Sequence, residues 1–526
     1  MAPRSYPPAP IVRIVYLLTH TGLFRNFEST LRLLAERGHE VHVALDSDRY
    51  PSDAFDALLA QHPNVTRMPT PPAPENRWSA LGRGVRAASD YLRYLEPRYA
   101  NASKLRARAL RQVPPWLRWA VAPPGDRARL DRRLRRIERA LPLSPAAVAF
   151  VRDQRPDLVC LTPLFGSPAQ LEVLRAARSL GVPTCLTVAS WDNLSNKGLI
   201  REHPDALVVW NDAQRREASE LQGIDAGRVT VTGAQNFDEW FERRPSSSAA
   251  AFTERLGLDP ARPYLLYLGS SSFIAPDEAP FAAEWLRRLR TAEDPRLRDI
   301  GVLFRPHPQN ARQWDRPDLL EDPQVAIHPP PGDAPQQTGR ADWSREDFYD
   351  SMHHAAAVIG VNTTAMIESA VLGRGVYTML APQFRETQEG TLHFEHLRSF
   401  AGGLLHLTET FEDHVRDLRG ALDRNGAPDE RSRHFVAAFV RPHGLERPAT
   451  PILVDAIEAA AAAEPVPAAH AAPPPAAHVL AGVAAAAERA ARLRGGKKRK
   501  RKKSRLARRR RQLHRALRRA RRLLPA

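Results

Sequence analysis

Cysteine is scarce in this 526-residue chain: only Cys160 and Cys185 occur, each inside an apolar run that reads as a buried strand. Two core thiols argue against a disulfide-stapled fold and against a structural zinc site. Long apolar runs are missing as well. No window reaches the roughly 18 uninterrupted apolar residues of a membrane span, and the opening "MAPRSYPPAP" has no apolar stretch of the kind a signal peptide needs. A reducing cytoplasm is therefore the expected location. Acidic residues are absent from Arg492 onward, where nineteen Lys and Arg accumulate. The formal charge of +18 thus belongs to the tail, and residues 1–491 balance to within one charge.

What is present is a repeated strand, helix, strand rhythm. "RIVYLLTH" is a continuous apolar run; Phe27, Leu31 and Leu34 then recur at helical spacing until Gly38, and "EVHVALD" resumes as a strand. The same order returns in "DLVCLTP", "AQLEVLRAARSLG", "PTCLTVAS" and again in "DALVVWN", "AQRREASELQG", "RVTVTG". Continuous rather than alternating apolar strands predict parallel sheets covered on both faces. At this length, with 43% hydrophobic residues, two such cores are expected.

The reading is an α/β protein with two Rossmann-like, doubly wound domains. Residues 11–245 form the first and 260–420 the second, with closing helices over 430–463. A basic helical insertion interrupts the first at about 76–141; within it, residues 83–139 carry sixteen Lys or Arg against five Asp or Glu. Its Trp116 and Trp119 fit either an anionic membrane surface or packing on the domain. An Ala/Pro-rich linker over 464–491 leads to a basic amphipathic helical tail, 492–526, in which Leu506, Leu513, Leu517, Ala520 and Leu524 form a narrow apolar stripe.

Ligands of open α/β sheets sit outside the carboxyl ends of the strands, so chemistry is sought there. His20, Thr21 and Gly22 join the first strand to its helix, without the G-x-G-x-x-G spacing of a dinucleotide site. In "FRPHPQN", Pro306 and Pro308 hold Arg305 and His307 extended, which suits a phosphate fork and a hydrogen-bond donor. In "GVNTTAMIES", Asn362 or Thr363 is expected to cap a helix. Thr363 and Thr364 supply hydroxyls to an anion, and Glu368 lies one turn on, placed for a ribose diol. Gly269, Ser270 and Ser271 form a small-residue turn after another strand. Finally "TVASWDNLSNKG" crowds Trp191, Asp192, Asn193, Asn196, Lys197 and Gly198 at a strand exit. There Asp192 is the candidate general base and Lys197 meets negative charge. "DSD" at 46–48 has the spacing of a carboxylate metal motif, but its position after the second strand speaks against that reading.

Two Rossmann-like halves, a donor loop and a closing helix resemble the GT-B-fold glycosyltransferases. "SWDNLSNKG", "RPHP" and "NTTAMIES" are similar, more narrowly, to the CDP-glycerol glycerophosphotransferase group, the teichoic-acid polymerases and their relatives. The resemblance implies that Arg305, His307 and Pro308 contact donor phosphates, that Thr363 and Thr364 replace a Ser-Ser helix start, and that Trp191 matches the tryptophan of a Trp-His-Gly-Thr turn. Asp192 stands where that turn has its histidine, which shifts the expectation from polyol phosphate toward sugar transfer with an aspartate base.

The implied function is transfer of a glycosyl or polyol-phosphate group from a CDP-, UDP-, GDP- or dTDP-linked donor to a hydroxyl acceptor, lipid-linked or free, in cell-envelope polysaccharide synthesis. No bound metal or cofactor is expected, because helix amides and basic side chains offset the leaving diphosphate. The tail is expected to hold the protein peripherally on the inner face of the plasma membrane. Nucleic acid fits it less well, for no aromatic residue is interleaved. Two rivals remain open: a non-hydrolysing UDP-sugar 2-epimerase, and a non-catalytic nucleic-acid-binding or scaffolding protein.

Overall fold

The computed structural model describes residues 10–47, 52–73, 77–121, 126–162, 167–330, 342–424, 426–466, 473 and 475–491. The tail 492–526 and Asp48 lie outside the described residues, as does the Trp119 side chain.

Seven strands build the first sheet: β1 (Arg13–Leu18), β2 (Glu40–Leu45), β3 (Val65–Arg67), β4 (Leu158–Thr162), β5 (Thr184–Thr187), β6 (Ala206–Val209) and β7 (Val229–Val231). Six build the second: β8 (Tyr264–Leu268), β9 (Gly301–Arg305), β10 (Val325–Ile327), β11 (Ala357–Gly360), β12 (Val376–Met379) and β13 (Leu405–Thr408). The spatial orders are β3-β2-β1-β4-β5-β6-β7 and β10-β9-β8-β11-β12-β13, and every pairing is parallel. Each sheet thus reverses winding direction at one point, between β1 and β4 and between β8 and β11. Such reversals open a crevice at the strand ends.

The apolar runs are continuous because both faces are covered. Ile14, Tyr16 and Leu18 enter one cluster while Val15 and Leu17 enter the other, and Tyr264, Leu266 and Leu268 are likewise separated from Leu265 and Tyr267. Cys160 and Cys185 face each other across the β4–β5 register as buried free thiols.

The helix Ala449–Ala462 follows the second sheet in sequence but packs on the first, where Leu453, Val454 and Ile457 join the cluster of Ile14, Tyr16 and Leu31. Each such buried side chain contributes roughly 1.5–3 kcal/mol. Asp238 pins the start of this helix. It accepts the Ala449 and Thr450 amides and the Thr450 hydroxyl at 2.7–3.0 Å, and pairs with the buried Arg441 at 2.9 Å.

The basic insertion divides. Residues 93–108 belong with the two sheets, whereas the described residues of 77–92, 109–142 and 473–491 form a second compact unit. Within that unit Trp116 lies so near Gly84 that a β-carbon there would come within 2.7 Å of its ring. Trp116 is therefore a packing residue inside the unit. The linker expected over 464–491 is corrected in its second half: residues 475–491 are helical. Alanine is the strongest helix former, and Ala477, Ala481 and Ala484 bury one helical face. Arg83 grips Glu488, its Nη2 donating to both carboxylate oxygens at 2.6 and 2.7 Å and its Nε to one of them at 3.1 Å, and Trp78 meets His478 edge-on. No described helix is long and apolar enough to cross a membrane.

Candidate functional site

The carboxyl ends of both sheets open into one cavity of about 910 Å³. From the first sheet it receives His20, Asp46, Trp191, Asp192, Asn193 and Lys197; from the second, Ser271, His307, Thr363, Thr364 and His393. The two sides touch directly, for the Trp191 indole Nε1 donates to Thr364 Oγ1 at 3.0 Å. Its ring also meets His393 edge-on with centroids 4.5 Å apart.

The crowded exit from β5 is a scaffolded loop. Asn193 turns its amide oxygen back onto the Ala189 and Ser190 N–H groups at 2.9 and 3.1 Å, an Asx-type brace that fixes the direction of Trp191 and Asp192. Residues Asn193–Lys197 then make one wide helical turn. Its carbonyls are taken from behind: Arg93 and Tyr99 donate to Ser195 O, Tyr94 to Asn196 O and Gln222 to Leu194 O, at 2.6–3.1 Å. The polar residues are there to hold a backbone path as well as to face a ligand.

Asp192 forms an ion pair with Lys197 at 2.9 Å. Burial pushes its carboxyl up, but Lys197, the neighbouring His393 and a bond from Ser190 outweigh that and hold it below the ordinary carboxylate value. His393 is driven down to about 4 by burial, with Asp192 opposing. It is therefore a neutral imidazole at pH 7 and shares a hydrogen bond with the Asn196 amide.

On the second side His307 accepts the Gln309 N–H on Nδ1 at 3.1 Å. Burial lowers its pKa, so the neutral ring carries its proton on Nε2, a donor. The helix Ala365–Val371 begins at Thr364 with no side-chain cap. The expected cap residues serve otherwise: Asn362 donates to Thr387 O at 2.7 Å, and Thr363 lines the cavity.

Several expected residues are elsewhere. Arg305 does not reach the cavity. As the last residue of β9 it is buried, donates to Asp347 O at 3.1 Å and stacks 5.1 Å from the Phe348 ring centroid. Arg305 faces the helix Asp342–His353, and of the two only His307 faces the opening. Ser270 points inward, where its N–H and hydroxyl bond Glu278 at 2.6 and 3.2 Å; burial pushes that carboxyl up to about 8 despite these bonds. Gly269 is a close-approach position, since a β-carbon there would meet His307 N at 3.1 Å and Arg305 O at 3.2 Å. Thr21 is buried and Gly22 is exposed in the turn Thr21–Asn26, outside the lining. Glu368 sits one turn past Thr364 but outside the lining; burial raises its carboxyl to about 7, opposed by Arg25.

Three further residues line the cavity: His393 and Arg108 carry no motif in the sequence, and Asp46 stood out there only as the first residue of "DSD". His393 belongs to the helix Leu392–Ser399, in the crossover between β12 and β13. Arg108 lies in the arginine-rich helix Ser103–Gln112. Asp46 follows β2, where Ser167 and Gln170 donate to its Oδ2 at 2.5 and 3.3 Å while Oδ1 is buried and unpartnered. Burial raises the Asp46 carboxyl to about 6, against the pull of those two bonds.

No protein-family model matches the sequence, and no curated protein matches it. Among solved structures, the glycosyltransferase from Rickettsia africae ESF-5 superposes with a TM-score of 0.50 at 10% identity, over 86% of this chain and 98% of that one. UDP-GlcNAc 2-epimerase from Methanocaldococcus jannaschii gives a TM-score of 0.47 at 12% identity, over 84% and 99%. The enzyme of that activity from Neisseria meningitidis, bound to UDP-GlcNAc, gives 0.44 at 10% identity, over 84% and 98%. At such identities the likeness concerns the fold: two parallel Rossmann-like sheets meeting at a cleft, the GT-B architecture.

Proposed function

We propose that the chain is a transferase that moves a glycosyl group from a nucleotide-activated donor to a hydroxyl acceptor in cell-envelope polysaccharide synthesis. The observation that carries the reading is the single cavity shared by Asp192 on one side and His307, Thr363 and Thr364 on the other. In this reading Asp192 takes the acceptor's hydroxyl proton as the oxygen attacks the sugar's anomeric carbon. The bond from that carbon to the diphosphate breaks with its electron pair going to phosphate. The His307 Nε2–H and the threonine hydroxyls meet the charge that develops there. Arg305 has no part in this scheme, and Glu368 binds the donor ribose only if the helix that carries it turns toward the cleft.

A thermal-shift panel of CDP, UDP, GDP and dTDP tests the donor assignment; no stabilisation by any of them defeats it. For the tail, removing residues 492–526 should leave turnover in solution intact and abolish recovery with anionic vesicles. Loss of all function on that deletion would favour the nucleic-acid-binding or scaffolding alternative.

One observation favours a second reading. Asp46 and Asp192 both face the cavity, and epimerisation at a sugar carbon needs a proton removed and another delivered. Donor incubated without acceptor discriminates: a released 2-epimer supports the epimerase, and unchanged donor supports transfer.

A further inference from the structure

Arg108 reaches the cavity from the helix Ser103–Gln112, within the basic stretch that the sequence marks as an insertion. Its guanidinium is held at two points. It donates to Asn196 O on the first-sheet side at 3.0 Å and lies 4.8 Å from the ring centroid of Phe273 on the second-sheet side. The same helix is fastened to the second sheet's loops: Ser103 bonds Glu386, and Lys104 donates to the Phe273 carbonyl with its ammonium 5.1 Å from that ring.

The charge balance of the lining singles this residue out. Lys197 is already paired with Asp192, Arg305 is turned away beneath Phe348, and His307 and His393 are shifted toward the neutral form. Among the described lining residues Arg108 is the one guanidinium or ammonium with no carboxylate partner. An arginine stacked on an aromatic ring keeps its planar N–H edge for a ligand, and that fork matches two phosphate oxygens.

The geometry points to Arg108 as the residue that binds the diphosphate of the donor, held between the Asn196 carbonyl and the Phe273 ring. This inference rests on the nucleotide-donor reading above and adds the element that reading lacks, a cation for a doubly charged group. The insertion thereby supplies the charge that "RPHP" was expected to provide through Arg305.

The test uses the full-length protein. CDP, UDP, GDP and dTDP are screened by calorimetry, and the diphosphate that binds is compared with its monophosphate and its free nucleoside. Wild type, Arg108→Gln and Arg108→Lys are measured side by side. Arg108→Gln should weaken the diphosphate by about 10- to 100-fold, as expected for loss of charge-assisted bonds, while nucleoside affinity changes less than about twofold. Arg108→Lys should fall between, and its binding should weaken with added salt. Equal weakening of diphosphate and nucleoside would assign Arg108 a merely structural role and overturn the inference, as would an unchanged diphosphate affinity. Should Arg108→Gln fail to fold, the lysine variant decides alone: a diphosphate affinity equal to wild type overturns the inference. Failure of all four diphosphates to bind wild type removes the donor reading itself, and Arg108 with it; binding that ignores Arg108 removes only the latter.

Discussion

On the first sheet's side of the cavity the groups are ionisable. Asp192 is paired with Lys197 of its own loop, Asp46 accepts from Ser167 and Gln170, and the turn that follows Asp192 is tied from outside by Arg93, Tyr94, Tyr99 and Gln222. On the second sheet's side the groups are neutral donors, and their loops are satisfied within that sheet's own segments: Ser270 by Glu278, and the Ser270 and Ala275 carbonyls by Asn310 of the loop after β9. One side is suited to taking a proton and the other to receiving negative charge without carrying any of its own. A fixed carboxylate on the second side would repel a diphosphate, and burial pushes the Glu278 carboxyl, behind Ser270, up to about 8.

The strongest way to break this arrangement is to unpin the helix that returns from the second domain to the first sheet. Asp238→Ala leaves the buried Arg441 without its counter-charge and should cost about 3–5 kcal/mol, read as a lowered urea midpoint. Next in size, Asp192→Asn should reduce turnover by about 10²- to 10³-fold while nucleotide binding persists; full turnover would move the base role to Asp46.

Asp46 gives a pH test of the charged side. Its folded value, raised to about 6, exceeds an unfolded value near ~3.9, so the folded state binds more protons between about pH 4 and 6. Its contribution therefore falls as pH rises through that window, by of the order of 2 kcal/mol. Asp46→Asn should gain on wild type in urea unfolding between pH 4.5 and 7.5, and a constant difference would contradict the raised value. The smallest effect is expected at the contact between the sides: Trp191→Phe loses the bond to Thr364 and should cost about 1 kcal/mol, visible as a lower melting temperature.

The sheets were legible because each strand's consecutive apolar residues serve two covered faces, as Ile14 and Val15 do. The residues at strand ends were legible by position, and His20, Trp191, Asp192, His307, Thr363 and Thr364 do line one cavity. Side-chain direction was not. Arg305 and His307 share a motif but separate at the point where β9 ends, because one still obeys the strand and the other does not. His393 and Arg108 had no local signal at all, being brought in by helices whose destination depends on the assembled domains. Arg108 was further hidden among many arginines that do face water.

The returning helix Ala449–Ala462 also constrains synthesis. One face of the first sheet, begun at Arg13, is covered in part by Leu31, Leu34, Phe55 and Leu58 and has its cover completed only when residues near Leu453 emerge. For most of translation that face remains partly open, available to chaperones and to other nascent chains. Truncation before this helix should therefore yield aggregates in the cell even when both sheets are complete in sequence.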